Sequence, residues 1–308
     1  MISLFDLHCD MPTEAYGRKR SITDGSLMAS AAKASGLDRY VQVAAIWSDC
    51  RLDDEAAYRR YREVRDNFRA QVEANRFTLA TCADQLDPNA PSYILAVEDA
   101  RILAGDLSRL EELYRDGVRF LTLTWAGESV IGGSFDTSAP LTEFGRRVVE
   151  ECFRLGIVPD LSHASDPVIE EVLEMAEARG LPVVATHSNA YRVHPHPRNL
   201  KDSYFERIVA LGGLVGISFY PVHLCDGPCN FEAVLAHIRH YLSLGGESCL
   251  AFGGDFDGIE TTPEGLADLS AMPELYRRLA EAGLDSGLLD RLFYQNAHAF
   301  FARGARIL

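Results

Sequence analysis

Short apolar runs alternate with longer amphipathic stretches along the whole chain. The apolar runs are rich in β-branched residues, which is typical of buried strands, whereas the stretches between them repeat apolar positions at helical spacing. No linker or low-complexity segment interrupts this alternation, so it favours one domain that spans residues 1–308. The candidate strands are ISLFDLH, YVQVAAIW, YILAVED, VRFLTLTW, IVPDLSH, PVVATHS, GGLVGISFY and CLAFGGDF.

The stretches between these runs predict crossover helices that begin near Asp53, Leu141 and Asp166. In the last of them, Asp166 is the expected N-cap, Pro167 lies in the first turn and Gly180 marks the exit. Near-continuous apolar strands that alternate with helices imply a parallel sheet covered on its outer face. Eight such units can close into a (β/α)8 TIM barrel, which is the predicted α/β fold, and an open doubly wound sheet is the alternative.

Polar and titratable side chains recur where the candidate strands end. In a parallel barrel all strands finish on one rim, so groups that are distant in sequence converge on a single mouth. A doubly wound sheet would scatter them more. The side chains at these ends are His8, Asp10, Glu98, Trp125, His163, His187, Tyr220 and Asp255.

The three histidines and three acids of this set indicate a metal centre. A single buried histidine is more often a hydrogen-bonded core residue than a ligand, but burying six such groups together is costly unless a cation neutralises the carboxylates. A divalent cation does so and uses neutral imidazoles as ligands. His8, Asp10, Glu98, His163 and His187 exceed what one ion needs, so two ions that share a carboxylate fit better. Two adjacent divalent ions activate water, which makes hydrolysis the predicted reaction class.

Glu98 is the candidate for the shared carboxylate. Many two-metal barrel hydrolases use a carboxylated lysine instead, but Lys19, Lys33 and Lys201 all lie away from the strand ends. Asp99, next to Glu98, is expected to point away by strand alternation.

His8 and Asp10 stand two residues apart, so on an extended strand both side chains project to the same face. By the same alternation Asp6 shares their face, one step deeper, and Cys9 faces the other way. Neither Asp6 nor Cys9 is a predicted ligand.

The net charge of −15 argues against nucleic acids or anionic membranes as partners, because a phosphate-rich surface would be repelled. A small-molecule substrate is expected instead. The chain starts without a basic region followed by a long apolar region, and no apolar run reaches the roughly 20 residues of a membrane span, so we expect a cytoplasmic protein. The cysteines are too scattered for a disulfide framework, and the lone C-x3-C of Cys225 and Cys229 lacks the second pair of a structural zinc site.

The order of these motifs resembles the membrane dipeptidase family, the renal-type dipeptidases of the amidohydrolase-like metallo-barrels, over nearly the whole chain. The motifs are His8 and Asp10 in FDLHCDMP, Glu98 in AVEDA, His163 in DLSHAS, His187 in THSNA and Asp255 in GGDFDG. The resemblance implies two Zn²⁺ ions per chain, one held by His8, Asp10 and Glu98 and the other by Glu98, His163 and His187. It also implies that Asp255 contacts the bridging water as general base and later protonates the leaving amine.

The resemblance extends to the substrate pocket. Arg198 in HPRNL occupies the position of the family's substrate arginine, and its guanidinium suits the free carboxylate of a dipeptide. Trp125 departs from the family, which usually carries a histidine after the fourth strand. An indole N–H donates a hydrogen bond but does not titrate, so Trp125 gives weaker oxyanion help or forms an apolar pocket wall. Tyr220 and His223 in SFYPVH are expected to line the pocket.

Five further histidines are expected to lie outside the chemistry. His194 and His196 in RVHPHP are interpreted as part of a solvated lid rather than an extra metal site, and the helical patterns assign structural roles to His237, His240 and His298.

The sequence therefore predicts a zinc-dependent dipeptidase that cuts dipeptides, including those with a C-terminal D-residue, by a metal-bridging hydroxide. The tolerance of a C-terminal D-residue in the substrate and a homodimeric state of the protein are implied by the resemblance alone. One alternative is a binuclear-metal amidohydrolase that acts on another small amide, lactam or ester. Another is a catalytically silent metal-binding protein, against which the retention of Asp255 beside all five ligands argues. Manganese or cobalt could occupy the same ligand set.

Overall fold

Nine parallel strands form one sheet in the computed structural model, which describes residues 1–304. The last four residues of the predicted domain, 305–308, lie outside the described residues. The strands are β1 (Ile2–Cys9), β2 (Leu37–Trp47), β3 (Thr78–Leu79), β4 (Ser92–Glu98), β5 (Val118–Thr122), β6 (Val158–Asp160), β7 (Val184–Ala185), β8 (Leu214–Ile217) and β9 (Leu250–Phe252).

The sheet closes on itself because β2 pairs with both β1 and β4. The β2–β4 register runs from Val41 opposite Ser92 to Trp47 opposite Glu98, at the carboxyl rim. The closed, eight-stranded (β/α)8 barrel is confirmed, and the open doubly wound sheet is excluded. Strand β3 lies outside the barrel, and among the described strands it pairs with β4 alone. It was not predicted, because two residues carry no readable periodicity.

The predicted crossover helices form, with one corrected boundary. Asp53 caps its helix as a β/extended residue whose side chain accepts a hydrogen bond from the Ala56 amide. In the helix that begins at Asp166, Ser165 is the N-cap instead, because its hydroxyl accepts from the Val168 amide. The helices are α1 (Met11–Arg18), α2 (Asp54–Ala74), α3 (Ser108–Arg115), α4 (Glu143–Leu155), α5 (Asp166–Glu177), α6 (Asp202–Ala210), α7 (Pro221–Leu224), α8 (Phe231–Ser243), α9 (Met272–Glu281), α10 (Ser286–Asp290) and α11 (Asn296–Gly304).

A bulge in β1 changes the predicted direction of one side chain. Asp6 pairs with Gln42 and Cys9 pairs with Ala44, so β1 advances by three residues where β2 advances by two. Since Gln42 and Ala44 share a face of β2, Asp6 and Cys9 share a face of β1. The expectation that Asp6 shares the face of His8 is therefore wrong.

The barrel is apolar at its amino-terminal end. Phe5 of β1 and Phe120 of β5 pack there against the rings of Phe301 and Phe300 in α11, with centroids 6.2 and 6.4 Å apart. This packing closes the bottom of the barrel and leaves polar side chains at the opposite rim. Within residues 1–304, no helix combines the length and apolar character that crossing a membrane requires.

Candidate active site

The six titratable residues singled out at the strand ends lie together at the carboxyl rim. His8 belongs to β1 and Glu98 ends β4, while the other four follow β1, β6, β7 and β9 within three residues. Four of the side chains are buried, and those of His163 and Asp255 are 12% and 13% exposed. The six residues are His8, Asp10, Glu98, His163, His187 and Asp255.

Glu98 lies between two groups of side chains. Its Oε1 atom is 3.0 Å from His163 Nε2 and 3.4 Å from His187 Nε2. Its Oε2 atom is 3.6 Å from His8 Nε2. On the far side, His8 Nε2 lies 3.6 Å from Asp10 Oδ2 and 3.9 Å from Asp255 Oδ1. A single carboxylate thus faces all three imidazoles.

The residues present fit divalent metal ions. His8 Nε2 and Asp10 Oδ1 are buried and find no hydrogen-bond partner among residues 1–304, which is costly for polar atoms unless a cation binds them. His163 Nε2 and His187 Nε2 lie 2.9 Å apart beside Glu98. Mixed imidazole and carboxylate ligands suit zinc and related ions.

Two ligand groups emerge from the distances alone. His8, Glu98 and His187 form one, and His8, Asp10 and Asp255 form the other, each with ligand atoms within 4.8 Å of one another. They overlap with the two sets that the resemblance implies without coinciding with them, since His163 joins neither. His8 belongs to both groups, so the two groups lie directly against each other.

Burial shifts the pKa of four of these groups, His163, His187, Glu98 and Asp255. It lowers the pKa of His163 and His187 well below the usual value, so both imidazoles are neutral, which is the form that binds metal. Burial raises the pKa of Glu98 to about 7, with the nearby Asp10 charge adding to the effect. Burial likewise raises the pKa of Asp255 well above its usual value. The crowding of Asp10, Glu98 and Asp255 calls for a cation among their carboxylates.

Two site residues adopt a backbone conformation that is rare for side chains with a Cβ. His163 has a φ of 67° and Asp255 a φ of 60°, both in the left-handed region. Such residues cost about 1–3 kcal/mol each and concentrate at functional sites. Here the surrounding chain holds them, because the Asp255 amide donates to His8 O at 3.1 Å and the Phe135 amide donates to His163 O at 2.7 Å.

Asp6 supports the site from behind although it is not a ligand. Its Oδ1 accepts hydrogen bonds from the His8 amide at 3.0 Å and from Gln42 Nε2 at 2.8 Å. Its Oδ2 accepts from the Gly254 amide at 3.0 Å. The buried carboxylate therefore ties the ligand-bearing end of β1 to the loop after β9. This role was not predicted from the sequence, because the bulge that sets the direction of the Asp6 side chain is not visible in the pattern of apolar and polar residues.

A cavity of about 590 Å³ opens above the cluster. Its apolar wall includes Trp47, Trp125 and Phe135. The rings of Trp47 and Trp125 meet edge to face with centroids 5.0 Å apart, and Trp125 lies 6.2 Å from the His163 ring. Trp47 was missed, although its place at the end of a predicted strand, opposite Glu98, marks it as a rim residue.

Arg198 lines the same cavity as a buried cation. Its Nη1 donates to Ser188 Oγ at 3.2 Å and its Nη2 donates to His187 O at 3.1 Å, while its Nε is buried and has no partner in the described part of the chain. Burial lowers the pKa of Arg198 to about 10. Within residues 1–304 no carboxylate forms an ion pair with this guanidinium, so it is free to bind an anionic group in the cavity.

The remaining predicted pocket residues also border the cavity. Tyr220 and His223 line it with their rings perpendicular and 4.8 Å apart. His196 is half-buried and packs 4.8 Å from His223 and 6.4 Å from Phe135, within a loop in which four of the seven residues 191–197 are exposed. Burial lowers the pKa of His223 to about 2, which keeps it neutral.

The three helical histidines make the structural contacts expected of them. His237 bridges Ala190 and Leu224, His240 contacts Asp202, and His298 stacks on Tyr294.

Comparison with known proteins adds a family match that covers almost the whole chain. The family described as membrane dipeptidase (peptidase family M19) matches residues 1–302. The chain is 32% identical to dipeptidase 3 of Homo sapiens over 294 residues, which is 90% of this chain and 60% of that protein. It is 35% identical to an uncharacterized dipeptidase of Schizosaccharomyces pombe over 203 residues, 64% of this chain and 49% of that one. The chain thus spans 49–60% of the length of these curated relatives.

Two solved structures share the fold over nearly their full length. One is dipeptidase AC, a metallo peptidase of family M19, with a TM-score of 0.91, 28% identity and 98% of both chains covered. The other is a metallo peptidase from Rhodobacter sphaeroides, liganded with a phosphinate mimic of the dipeptide L-Ala-D-Ala. Its TM-score is 0.90 with 26% identity, and 98% of this chain and 99% of that chain are covered.

Proposed function

Because the chain belongs to the membrane dipeptidase family, peptidase family M19, we propose that it is a metallodipeptidase that hydrolyses the peptide bond of free dipeptides. The observation that carries the proposal is the placement of two unlike groups in one cavity. The buried Arg198 cation lines it, and so do Asp10, Glu98 and His163 of the metal cluster. A cavity of about 590 Å³ suits a small ligand held at both ends.

We propose two zinc ions per chain, with Glu98 as the shared carboxylate. His8 and Asp10 would complete one ligand set, and His163 and His187 the other. When bound, such a pair of ions lowers the pKa of water and polarises the scissile carbonyl. The two orphaned atoms, His8 Nε2 and Asp10 Oδ1, support ion binding on the first side.

The substrate is oriented by Arg198. No carboxylate of the described chain pairs with its guanidinium, which donates to Ser188 Oγ and to His187 O. The free carboxylate of a dipeptide would complete the hydrogen bonding of the guanidinium. A longer peptide carries no carboxylate at that position, which restricts cleavage to dipeptides. Anchoring one end of the substrate holds the peptide bond over the Glu98 cluster.

Proton transfer is assigned to Asp255. Its carboxylate takes a proton from the attacking water and returns it to the leaving amine, so that one peptide bond and one water give two amino acids. Burial raises the pKa of Asp255, which makes its carboxylate a better base at neutral pH. Trp47 and Trp125 cover the site from one side and limit the access of other water molecules.

A C-terminal D-residue is included in the proposed substrate range. The Rhodobacter sphaeroides metallo peptidase is liganded with a phosphinate mimic of L-Ala-D-Ala. The fold of that protein matches 98% of the present chain. The mimic supports the same range for this chain.

The experiment is hydrolysis of L-Ala-L-Ala and L-Ala-D-Ala by protein that has been stripped with a chelator and titrated with zinc or manganese. We expect no hydrolysis without metal and a maximum near two ions per chain, by the two-metal mechanism. Asp255→Asn should bind metal yet lose about 10²- to 10⁴-fold in kcat, as expected for loss of a general base. Full hydrolysis by the stripped protein would contradict the proposal.

A further inference from the structure

The hydroxyl of Thr186 lies between two metal-ligand histidines and a buried carboxylate that the proposed chemistry does not use. Thr186 Oγ1 is 2.9 Å from His187 Nδ1 and 3.4 Å from His8 Nδ1. On its other side it is 2.6 Å from Asp160 Oδ2. Thr186 and Asp160 are both buried, with 1% and 0% of their surface exposed.

The hydrogen bonds around Asp160 determine where the Thr186 proton points. Asp160 Oδ2 accepts from Thr122 Oγ1 as well as from Thr186 Oγ1, both at 2.6 Å. Asp160 Oδ1 accepts from the amides of Ser162 and Thr186, at 3.0 and 2.9 Å. A carboxylate surrounded by four donors acts as an acceptor, so the single Thr186 hydroxyl proton is directed at Asp160.

The Thr186 oxygen is then an acceptor toward the histidines. The short contact to His187 requires the proton of that imidazole to be on Nδ1. Its Nε2 lone pair is therefore free and faces Glu98 Oε1 at 3.4 Å. The rings of His8 and His187 lie 3.8 Å apart at 30°, so the two imidazoles pack as a pair beside the same hydroxyl.

We propose that Asp160 and Thr186 form a positioning pair that holds His187, and with it His8, in the tautomer and orientation that bind metal. The inference rests on the proposed function only in assuming a metal centre. One hydroxyl would thereby support ligands from β1 and from the end of β7, on both halves of the site. Partners of this kind typically contribute 10–100-fold to metal affinity.

A purely structural role for Asp160 predicts something different. Its carboxylate also joins β5, β6 and the end of β7 through Thr122, Ser162 and Thr186. Thr122→Val is therefore a matched control, because it removes a donor to the same Oδ2 atom at the same 2.6 Å, and the Thr122 hydroxyl is hydrogen-bonded to neither His8 nor His187. Thr122→Val and the test substitution Thr186→Val both keep the β-branched shape of threonine.

The test measures zinc affinity by chelator competition in wild type, Thr186→Val, Thr186→Ser and Thr122→Val, with unfolding midpoints for each. We expect Thr186→Val to bind zinc about 10–100-fold more weakly, Thr186→Ser to restore affinity, and Thr122→Val to bind as wild type does. Should Thr186→Val fail to fold, Thr186→Ala removes the same hydroxyl.

Wild-type zinc affinity in the folded variant that lacks the Thr186 hydroxyl would overturn the inference, as would an equal loss in Thr122→Val. Because the readout is metal affinity, it is separate from dipeptide hydrolysis. A protein that cleaves no dipeptide but loses zinc on Thr186→Val would disprove the proposed substrate and leave the positioning pair standing.

Discussion

Gly258 lies directly against the Asp10 carboxylate, so that a Cβ atom at position 258 would stand 2.2 Å from Asp10 Oδ2. The same atom would stand 2.6 Å from Asp255 Oδ1. No side chain fits there without displacing the two carboxylates. The loop after β9 therefore approaches the cluster as closely as a backbone can.

Gly258→Ala should consequently weaken metal binding without unfolding the barrel. The atoms in the way are the ends of side chains, which can rotate aside, so the cost falls on the site rather than on the core. We expect at least about tenfold lower zinc affinity, the size of effect seen when ligands are misplaced, with little change in the unfolding midpoint. Gly25→Ala is the control, since no atom of residues 1–304 lies within 4 Å of a Cβ there. Unchanged zinc affinity in Gly258→Ala would contradict the prediction.

Arg198→Met keeps the aliphatic stem of the side chain and removes its charge. A hydrogen bond to a charged group contributes about 1.5–3 kcal/mol, so KM for dipeptides should rise roughly 10- to 100-fold. A dipeptide amide, which lacks the carboxylate, should show little change. Arg192→Met removes an exposed arginine of the same loop and should behave as wild type. Steady-state kinetics with both substrates provide the measurement.

The same comparison separates the proposed dipeptidase from an enzyme for another small amide, lactam or ester. If wild type cleaves the dipeptide amide as fast as the free dipeptide, and Arg198→Met changes neither rate, then Arg198 does not bind a substrate carboxylate.

Trp125→Ala should alter substrate preference more than metal binding. Trp125 forms an edge-to-face pair with Trp47 in the apolar wall of the cavity, and aromatic contacts of this kind contribute about 0.5–1.5 kcal/mol beyond area burial. The ratio of kcat/KM for L-Ala-L-Phe over L-Ala-L-Ala should fall by roughly 3- to 10-fold for an apolar contact of that size. Trp125→Phe should retain most of the ratio. A proportional loss on both dipeptides would show that Trp125 acts on the reacting carbonyl instead.

His237 should make folding stability depend on pH. Its Nδ1 accepts from the Ala190 amide at 2.9 Å and its Nε2 contacts Leu224 O at 2.9 Å. Burial lowers the pKa of His237 to about 4, whereas the unfolded chain takes up a proton near pH 6.5. The unfolded state therefore binds more protons between these values, and stability is lost as the pH falls through this window.

The loss that His237 causes between pH 7 and pH 5 should be about 2 kcal/mol by linkage. The glutamine of His237→Gln supplies an acceptor and a donor but does not titrate. Between pH 7 and pH 5 the free energy of unfolding of this variant should therefore fall by about 2 kcal/mol less than that of wild type. Denaturant unfolding of both proteins at the two pH values measures the difference. Parallel pH dependence of the two proteins would rule out His237 as the source.

The barrel and the members of its site were predictable because the sequence marks where strands end. His163 and His187 follow apolar runs directly, and parallel strands bring such positions to one rim. The directions of side chains were less accessible. Asp6 turns away from His8 because of a bulge that only the pairing with β2 reveals. The left-handed backbone of His163 arises from tertiary contacts that no local propensity encodes.

Hydroxyl groups were the least predictable part of the site. Thr186 stands beside a predicted ligand, yet its contact with Asp160 depends on the register in which the neighbouring strands β6 and β7 pair. Trp47 was recognisable as a strand end, but its contact with Trp125 required the closure of β2 on β4.

The position of β1 in the closed barrel carries a consequence for assembly. β1 pairs on one side with β2, its successor, and on the other with β9, which is encoded far downstream. The strand that bears His8 therefore emerges from the ribosome long before the segment that brings Asp255 beside it. Since contacts between distant parts of a chain form slowly, we expect the ions to be acquired after synthesis of the barrel is finished. The supply of metal to the completed protein, rather than to a growing chain, would then govern how much of it becomes active.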